Sequence, residues 1–313
     1  MNLIFLGSGT FGLPTLKAMH LAHHVVAVIS QPDKPAGRKK QLTPTPIAQY
    51  ALEQGLTLLR TDNVNAPAFV EKMSAYRPEA AVVIAFGQKL SPAFLETLGP
   101  LTVNLHASLL PQYRGAAPIN WALMHDQPRA GVCVIGLAQK MDAGDIYASQ
   151  DLAIDPLETA GELHDRLADL GPSAVLGVLE DLQQGQLNPV AQDHAQATLA
   201  PKLTKADGTV DFDAPACEVR ARVHGLTPWP GCCVLWTSQK TGKTQPLFLR
   251  RVSAEPTGKV ASPGLVLENH RVAVADGAIH LLALQLPGKR LLPVADFVRG
   301  HPLMPGDQLA TMV

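Results

Sequence analysis

Cysteine is scarce in this chain: Cys133, Cys217, Cys232 and Cys233 are the four among 313 residues, and no two are spaced as CxxC. A disulfide framework and a zinc site are therefore not expected. The thiols read as reduced and inert, and no metal is implied. Long apolar runs are missing as well, since no stretch nears the ~18 uninterrupted apolar residues of a membrane span. The opening MNLIFLGSGTFG has no basic lead and only a short apolar run before its first glycine, so a signal peptide is not expected. Aromatic residues make up 5%, and neither sign of charge dominates, the net charge being −1. With 46% hydrophobic and 17% charged residues, usage is ordinary globular, which excludes disordered and collagen-like readings. The expectation is a cytoplasmic protein with no membrane association, monomeric by default.

What is present fits two cores, because a single core rarely grows to this length. Leu3 to Leu6, Val25 to Ile29, Ala80 to Ala85 and Leu101 to Leu105 are short apolar runs. They alternate with helix-like stretches such as Thr15 to His20. That pattern predicts a doubly wound, Rossmann-like α/β domain built on a parallel sheet, with ligands beyond the carboxyl ends of its strands. A helix over Thr159 to Gln184 closes it, with Leu163, Leu167 and Leu170 in helical spacing. Residues 1–188 are read as this domain and the polar, aperiodic 189–206 as a linker. In 207–313, the runs Cys232 to Trp236, Leu247 to Val252, Gly264 to Leu267, Arg271 to Ala275 and Ile279 to Leu284 predict a small OB-like β-barrel. Charge divides along the same line. Residues 201–313 carry 13 Lys and Arg against 9 Asp and Glu, while residues 1–200 carry 13 against 18. A basic C-terminal part is consistent with a phosphate-bearing partner.

Four segments carry chemistry. Gly7-Ser8-Gly9-Thr10-Phe11-Gly12 follows the first strand and matches the dinucleotide fingerprint. The acidic residue that fold needs after the second strand is missing, because Ile29-Ser30-Gln31-Pro32 stands there. The alternative reading is a glycine turn for close strand-to-helix packing. The loop DKPAGRKK carries four basic residues, Lys34, Arg38, Lys39 and Lys40, able to neutralise phosphates, although a solvated loop has the same composition. After the third strand, Phe86-Gly87-Gln88-Lys89-Leu90 offers backbone to a flat heterocycle. The fourth strand ends in Asn104-Leu105-His106-Ala107-Ser108-Leu109-Leu110-Pro111, and alternation sets Asn104 and His106 on one face.

An amide donor beside an imidazole suits acyl transfer to an amine. Asn104 can donate to an oxygen gaining charge, and His106 can stabilise it or hand a proton to the leaving nitrogen. In Met141-Asp142-Ala143-Gly144-Asp145-Ile146, Asp142 is the carboxylate expected to orient His106 and collect the amine's proton, with Asp145 its rival. No GxSxG elbow is present, so a serine hydrolase is not indicated.

These residues resemble the folate-dependent formyltransferases over nearly the whole chain. The resemblance rests on Asn104-x-His106 with SLLP at Ser108 to Pro111 and on the aspartate of MDAGDI. It implies that Asn104, His106 and Asp142 are catalytic and that 10-formyltetrahydrofolate is the co-substrate. Ser108, Leu109, Leu110 and Pro111 would line its site, with Phe86, Gly87, Gln88 and Leu90 beside the pterin. Within the family, QPDKPAGRKKQLTPTP looks like the tRNA-contacting loop, with Arg38 at its key basic position. PKLTKADGTVDF and HGLTPWPG look like the junction and the barrel opening of the branch that acts on methionyl-tRNA. Initiator methionyl-tRNA is then the implied acceptor, bound by Lys34, Arg38, Lys39, Lys40 and the C-terminal domain. Rival functions are formylation of an amino sugar, an NAD(P)-dependent oxidoreductase built on Gly7 to Gly12, and a non-catalytic RNA-binding protein. The last leaves Asn104, His106 and Asp142 without a purpose.

Overall fold

The computed structural model describes residues 1–37 and 40–312. Among these the strands are β1 (Asn2–Gly7), β2 (His24–Ser30), β3 (Lys34–Ala36), β4 (Gln41–Thr43), β5 (Leu58–Arg60), β6 (Ala80–Ile84), β7 (Leu101–His106), β8 (Arg114–Gly115), β9 (Arg129–Gly136), β10 (Ile146–Ala153), β11 (Leu199–Ala200), β12 (Cys232–Thr237), β13 (Thr244–Glu255), β14 (Arg271–Val274), β15 (Gly277–Gln285), β16 (Leu292–Pro293) and β17 (Gln308–Thr311). The α-helices are α1 (Leu13–Ala22), α2 (Pro46–Glu53), α3 (Pro67–Ser74), α4 (Pro92–Leu95), α5 (Pro118–Met124), α6 (Ala160–Ala168), α7 (Gly171–Gln184), α8 (Ala216–Gly225) and α9 (Val294–Gly300). No helix among the described residues is long and apolar enough to cross a membrane.

Two compact units emerge, and neither is one continuous stretch. The first comprises Met1–Arg114, Gly131–Leu152 and His164–Thr198; the second comprises Gly115–Ala130, Ala153–Leu163 and the chain from Leu199 on.

The first unit is the Rossmann-like sheet, in the order β10-β9-β7-β6-β1-β2-β5. β5, β2, β1, β6 and β7 run parallel, and β9 joins antiparallel to β7. Every residue of β6 is buried, as expected of a central strand covered on both faces. On one face Ile4 and Leu6 share a core with Met73 of α3 and Phe94 of α4. On the other, Gly171 at the start of α7 lies so near Leu105 that an added Cβ would stand 2.8 Å from its Cδ2. The expected helix over Thr159 to Gln184 is two helices, broken at Asp169-Leu170. Pro172 lies in the first turn of α7, where a missing N–H costs nothing, whereas inside one continuous helix it would remove a hydrogen bond. α2 is anchored by Thr45, whose Oγ1 accepts from Ala48 N at 3.1 Å, a cap worth about 1 kcal/mol.

In the second unit the sheet runs β14-β15-β13-β12-β17, with β16 pairing β15, and curls into an antiparallel half-barrel. Its core includes Val219 and Val223 of α8, Trp236 of β12 and Phe297 of α9. Gly264 to Leu267, expected as a strand, makes only isolated bridges, Leu265 to Gln308 and Val266 to Val272.

His224 of α8 sits in this core at 2% exposure, with Nε2 accepting from Val252 N at 3.2 Å. Burial, reinforced by Arg220 and Arg251, lowers its pKa to about 4. A depressed histidine pKa means that the unfolded chain takes up the proton first as pH falls, so stability present above about pH 6.5 is lost on the way down to about pH 4. The expected loss is about 2 kcal/mol between about pH 7 and pH 5. Urea denaturation of the full chain and of His224→Gln at both pH values checks this, because the variant should lose that part of the slope. An unchanged slope would mean that another group carries it.

Candidate active site

The carboxyl ends of β1, β2, β6 and β7 meet at one edge of the parallel sheet. At the end of β7, His106 is 6% exposed and Asn104, two residues earlier, is half-buried on the same face. The Nε2 of His106 lies 2.9 Å from the carbonyl oxygen of Tyr113. A carbonyl only accepts, so Nε2 carries the hydrogen and a neutral ring has its lone pair on Nδ1. That Nδ1 faces the Asp142 carboxylate at 3.7 Å. Imidazole and carboxylate are thus side by side, each able to take a proton. Cys133 is paired with His106 across β7 and β9, but burial pushes its thiol pKa up, which disfavours a thiolate nucleophile.

Asp142 is half-buried, whereas Asp145, its rival in the sequence, is exposed. Asp142 also has φ of +52°, in the left-handed region that costs a non-glycine residue roughly 1–2 kcal/mol. Two local features hold it there. Gly144 lies directly over Gly136, whose carbonyl oxygen an added Cβ would overlap. In addition, the Nε2 of Gln192 donates to the carbonyl oxygens of Asp142, at 2.9 Å, and of Gly144, at 2.7 Å. Gln192 is 7% exposed, although it falls in the stretch read from composition as a linker. No sequence signal marks it, since a single glutamine in a polar, aperiodic segment has no pattern. Tyr113 escapes notice for another reason, because it acts through its backbone.

The remaining expected site residues separate into engaged and accessible groups. Ser108 is buried, its hydroxyl donating to Gln112 O at 2.7 Å, and Leu110 is buried against Cys133 and Ile135. Leu109 and Pro111 are half-buried. The Phe86 side chain belongs to the core shared by Ile4 and Leu6, and Leu90 packs against it. Gln88 is engaged at both ends: Oε1 accepts from Val64 N at 2.9 Å, and Nε2 donates to Thr61 O at 2.8 Å. Gly87 is exposed, with φ of +82° and, for an added Cβ, only Gln31 Nε2 nearby at 3.7 Å. Its backbone is open to a ligand. Lys34 and Lys40 are exposed on the loop carrying β3 and β4, while Arg38 and Lys39 lie outside the described residues.

The glycines of the dinucleotide fingerprint have a packing role. A Cβ on Gly7 would stand 2.6 Å from Phe5 Cε1, and one on Gly12 would stand 3.1 Å from Ile84 Cβ. At the end of β2, Gln31 Nε2 donates to Phe86 O at 3.2 Å and Ser30 Oγ pairs with Thr45 Oγ1 at 2.6 Å. No carboxylate stands where a ribose would be read. Among the described residues no group of three or more His, Cys, Asp or Glu could hold a metal ion.

Comparison with known proteins finds matches over nearly the whole chain. The family described as "Formyl transferase" matches residues 1–179, and "Formyl transferase, C-terminal domain" matches residues 202–302. A protein of Solibacter usitatus named methionyl-tRNA formyltransferase is 39% identical over 99% of this chain and 98% of its own length. One of the same name from Moorella thermoacetica is 37% identical over 99% of both. Among solved structures, HypX from Aquifex aeolicus in complex with tetrahydrofolic acid superposes with a TM-score of 0.60 at 17% identity. The match covers 95% of this chain, which spans about half the length of HypX, 47%. Both halves of the sequence therefore carry the same assignment, and the chain belongs to the formyl transferase family.

Proposed function

We infer that this chain transfers the formyl group of 10-formyltetrahydrofolate to the amino group of methionyl-tRNA, the initiator species, giving N-formylmethionyl-tRNA and tetrahydrofolate. The chemistry is carried by one observation, the His106 imidazole held between the Tyr113 carbonyl and the Asp142 carboxylate beside Asn104. The acceptor follows from relatives of that name aligned over nearly the full length of both chains. The reading includes action as a cytoplasmic monomer, with catalysis in the first unit and tRNA binding by the second.

The folate supplies an electrophilic formyl carbon and a nitrogen leaving group. This chain's residues supply the rest. The Asn104 amide donates to the formyl oxygen as negative charge gathers on it. As the amine attacks, its proton passes to Nδ1 of His106, directly or by way of the Asp142 carboxylate, and the imidazolium so formed is compensated by that carboxylate. His106 then hands a proton to the departing nitrogen. The folate would lie against the open backbone at Gly87 and the half-buried Leu109 and Pro111, next in the chain to Phe86, Gln88, Leu90, Ser108 and Leu110. Lys34, Arg38, Lys39 and Lys40 neutralise tRNA phosphates.

The test is formyl transfer from 10-formyltetrahydrofolate to charged and uncharged initiator tRNA, with Arg38→Ala alongside. Transfer to the charged species alone is expected. Arg38→Ala should raise KM for the tRNA about tenfold and reduce the salt slope by about one, leaving the folate KM unchanged. A folded wild type that formylates an amino sugar but not methionyl-tRNA would reassign the acceptor.

A further inference from the structure

Gln192 bridges the Asp142 turn and the guanidinium of Arg114. Its Nε2 donates to the carbonyl oxygens of Asp142 and Gly144, at 2.9 and 2.7 Å. Its Oε1 accepts from Nε and Nη2 of Arg114, at 3.1 and 2.5 Å. Nη2 of Arg114 also meets Nδ1 of His194 at 2.9 Å. A guanidinium only donates, so it fixes which end of the amide is oxygen and thereby aims the NH₂ at the two carbonyls. Every polar atom of a buried side chain is engaged, and one of the two residues it grips, Asp142, has a left-handed backbone that persists only where its surroundings over-determine it.

We propose that Gln192 is a positioning residue for formyl transfer, with Arg114 setting its amide so that the Asp142 carboxylate is held toward His106. It touches neither substrate and acts through Asp142. This rests on the functional reading above, in which Asp142 takes part in proton transfer.

The consequence is a loss of turnover without loss of binding. Gln192→Met keeps the length and bulk but cannot hold the two carbonyls, and a carboxylate misplaced by about 1 Å costs on the order of 10²-fold in kcat. KM for tRNA and for folate should stay within about threefold, since uniform binding is untouched. The deciding measurement is a double-mutant cycle with Asp142→Asn, using full-length protein in single-turnover transfer. If Gln192 acts through Asp142, adding Gln192→Met to Asp142→Asn costs almost nothing further; a residue that only stabilises the fold gives losses that multiply. Arg114→Met, with a smaller expected loss of about tenfold, runs through the same cycle and decides the matter should Gln192→Met not fold. Non-additive losses with both KM values preserved support the proposal. Multiplying losses, or a kcat within about threefold of wild type, overturn it. A wild type inactive toward methionyl-tRNA would instead overturn the functional reading.

Discussion

His106→Ala is expected to lower single-turnover formyl transfer by about 10³-fold while leaving tRNA and folate binding within about threefold, the range in which general acid–base groups act. The imidazole is nearly enclosed, and its two described partners are the Tyr113 carbonyl and the Asp142 carboxylate. On the proposed mechanism, removing it takes away the proton acceptor with its lone pair facing that carboxylate, along with the donor for the leaving nitrogen. Binding contacts elsewhere are unaffected. His106→Asn should rescue little, because an amide can donate to an oxygen but cannot take up and return a proton at neutral pH. Rates measured with saturating substrates, beside filter binding of tRNA, separate the two effects. A folded His106→Ala protein that keeps wild-type turnover would remove the imidazole from the chemistry.

Gly144→Ala should be nearly as damaging, by a purely steric route. The new methyl would overlap the Gly136 carbonyl oxygen, which belongs to the sheet and cannot retreat as a flexible side chain would. The turn must then lift, breaking the Gly136 N to Asp145 O hydrogen bond of 2.9 Å and the Gln192 bond to Gly144 O. Asp142 moves with it. A fall in kcat of about 10²-fold is expected, with a lowered melting temperature, as a displaced carboxylate and a lost buried hydrogen bond would give. Gly177→Ala is the matched control, since α7 has open space there and a helix favours alanine. Wild-type turnover in Gly144→Ala would show that the turn tolerates the shift and that its placement is not limiting.

The parts of the site that announce themselves in the sequence are those tied to a repeat. Asn104 and His106 share a face because strands alternate, and the strands around them are legible because a sheet covered on both faces needs continuous apolar runs. β5 is too short for such a signal, and β10 alternates half-buried with exposed residues. The break between α6 and α7 is written in Pro172, but apolar spacing on either side of it hides the interruption. Choosing between Asp142 and Asp145 needs exposure, which the motif does not contain. Gln192 and the Tyr113 carbonyl lie furthest from view. One is a long-range contact from an aperiodic segment, the other a backbone group that every residue has.

The route of the chain also bears on how such a protein could be recombined. Composition invites a junction in the polar stretch after residue 188, yet the segment through Thr198 belongs to the first unit and contributes Gln192 to the Asp142 turn. A chimera that takes its C-terminal module from residue 189 onward would import a foreign anchor for its own Asp142 turn. Moving the crossover past Thr198 keeps that anchor native. Even so, α5 and the segment from Ala153 to Leu163 stay behind, and both belong to the unit being exchanged. Exchange of the whole second unit in this architecture is therefore a matter of five junctions rather than one.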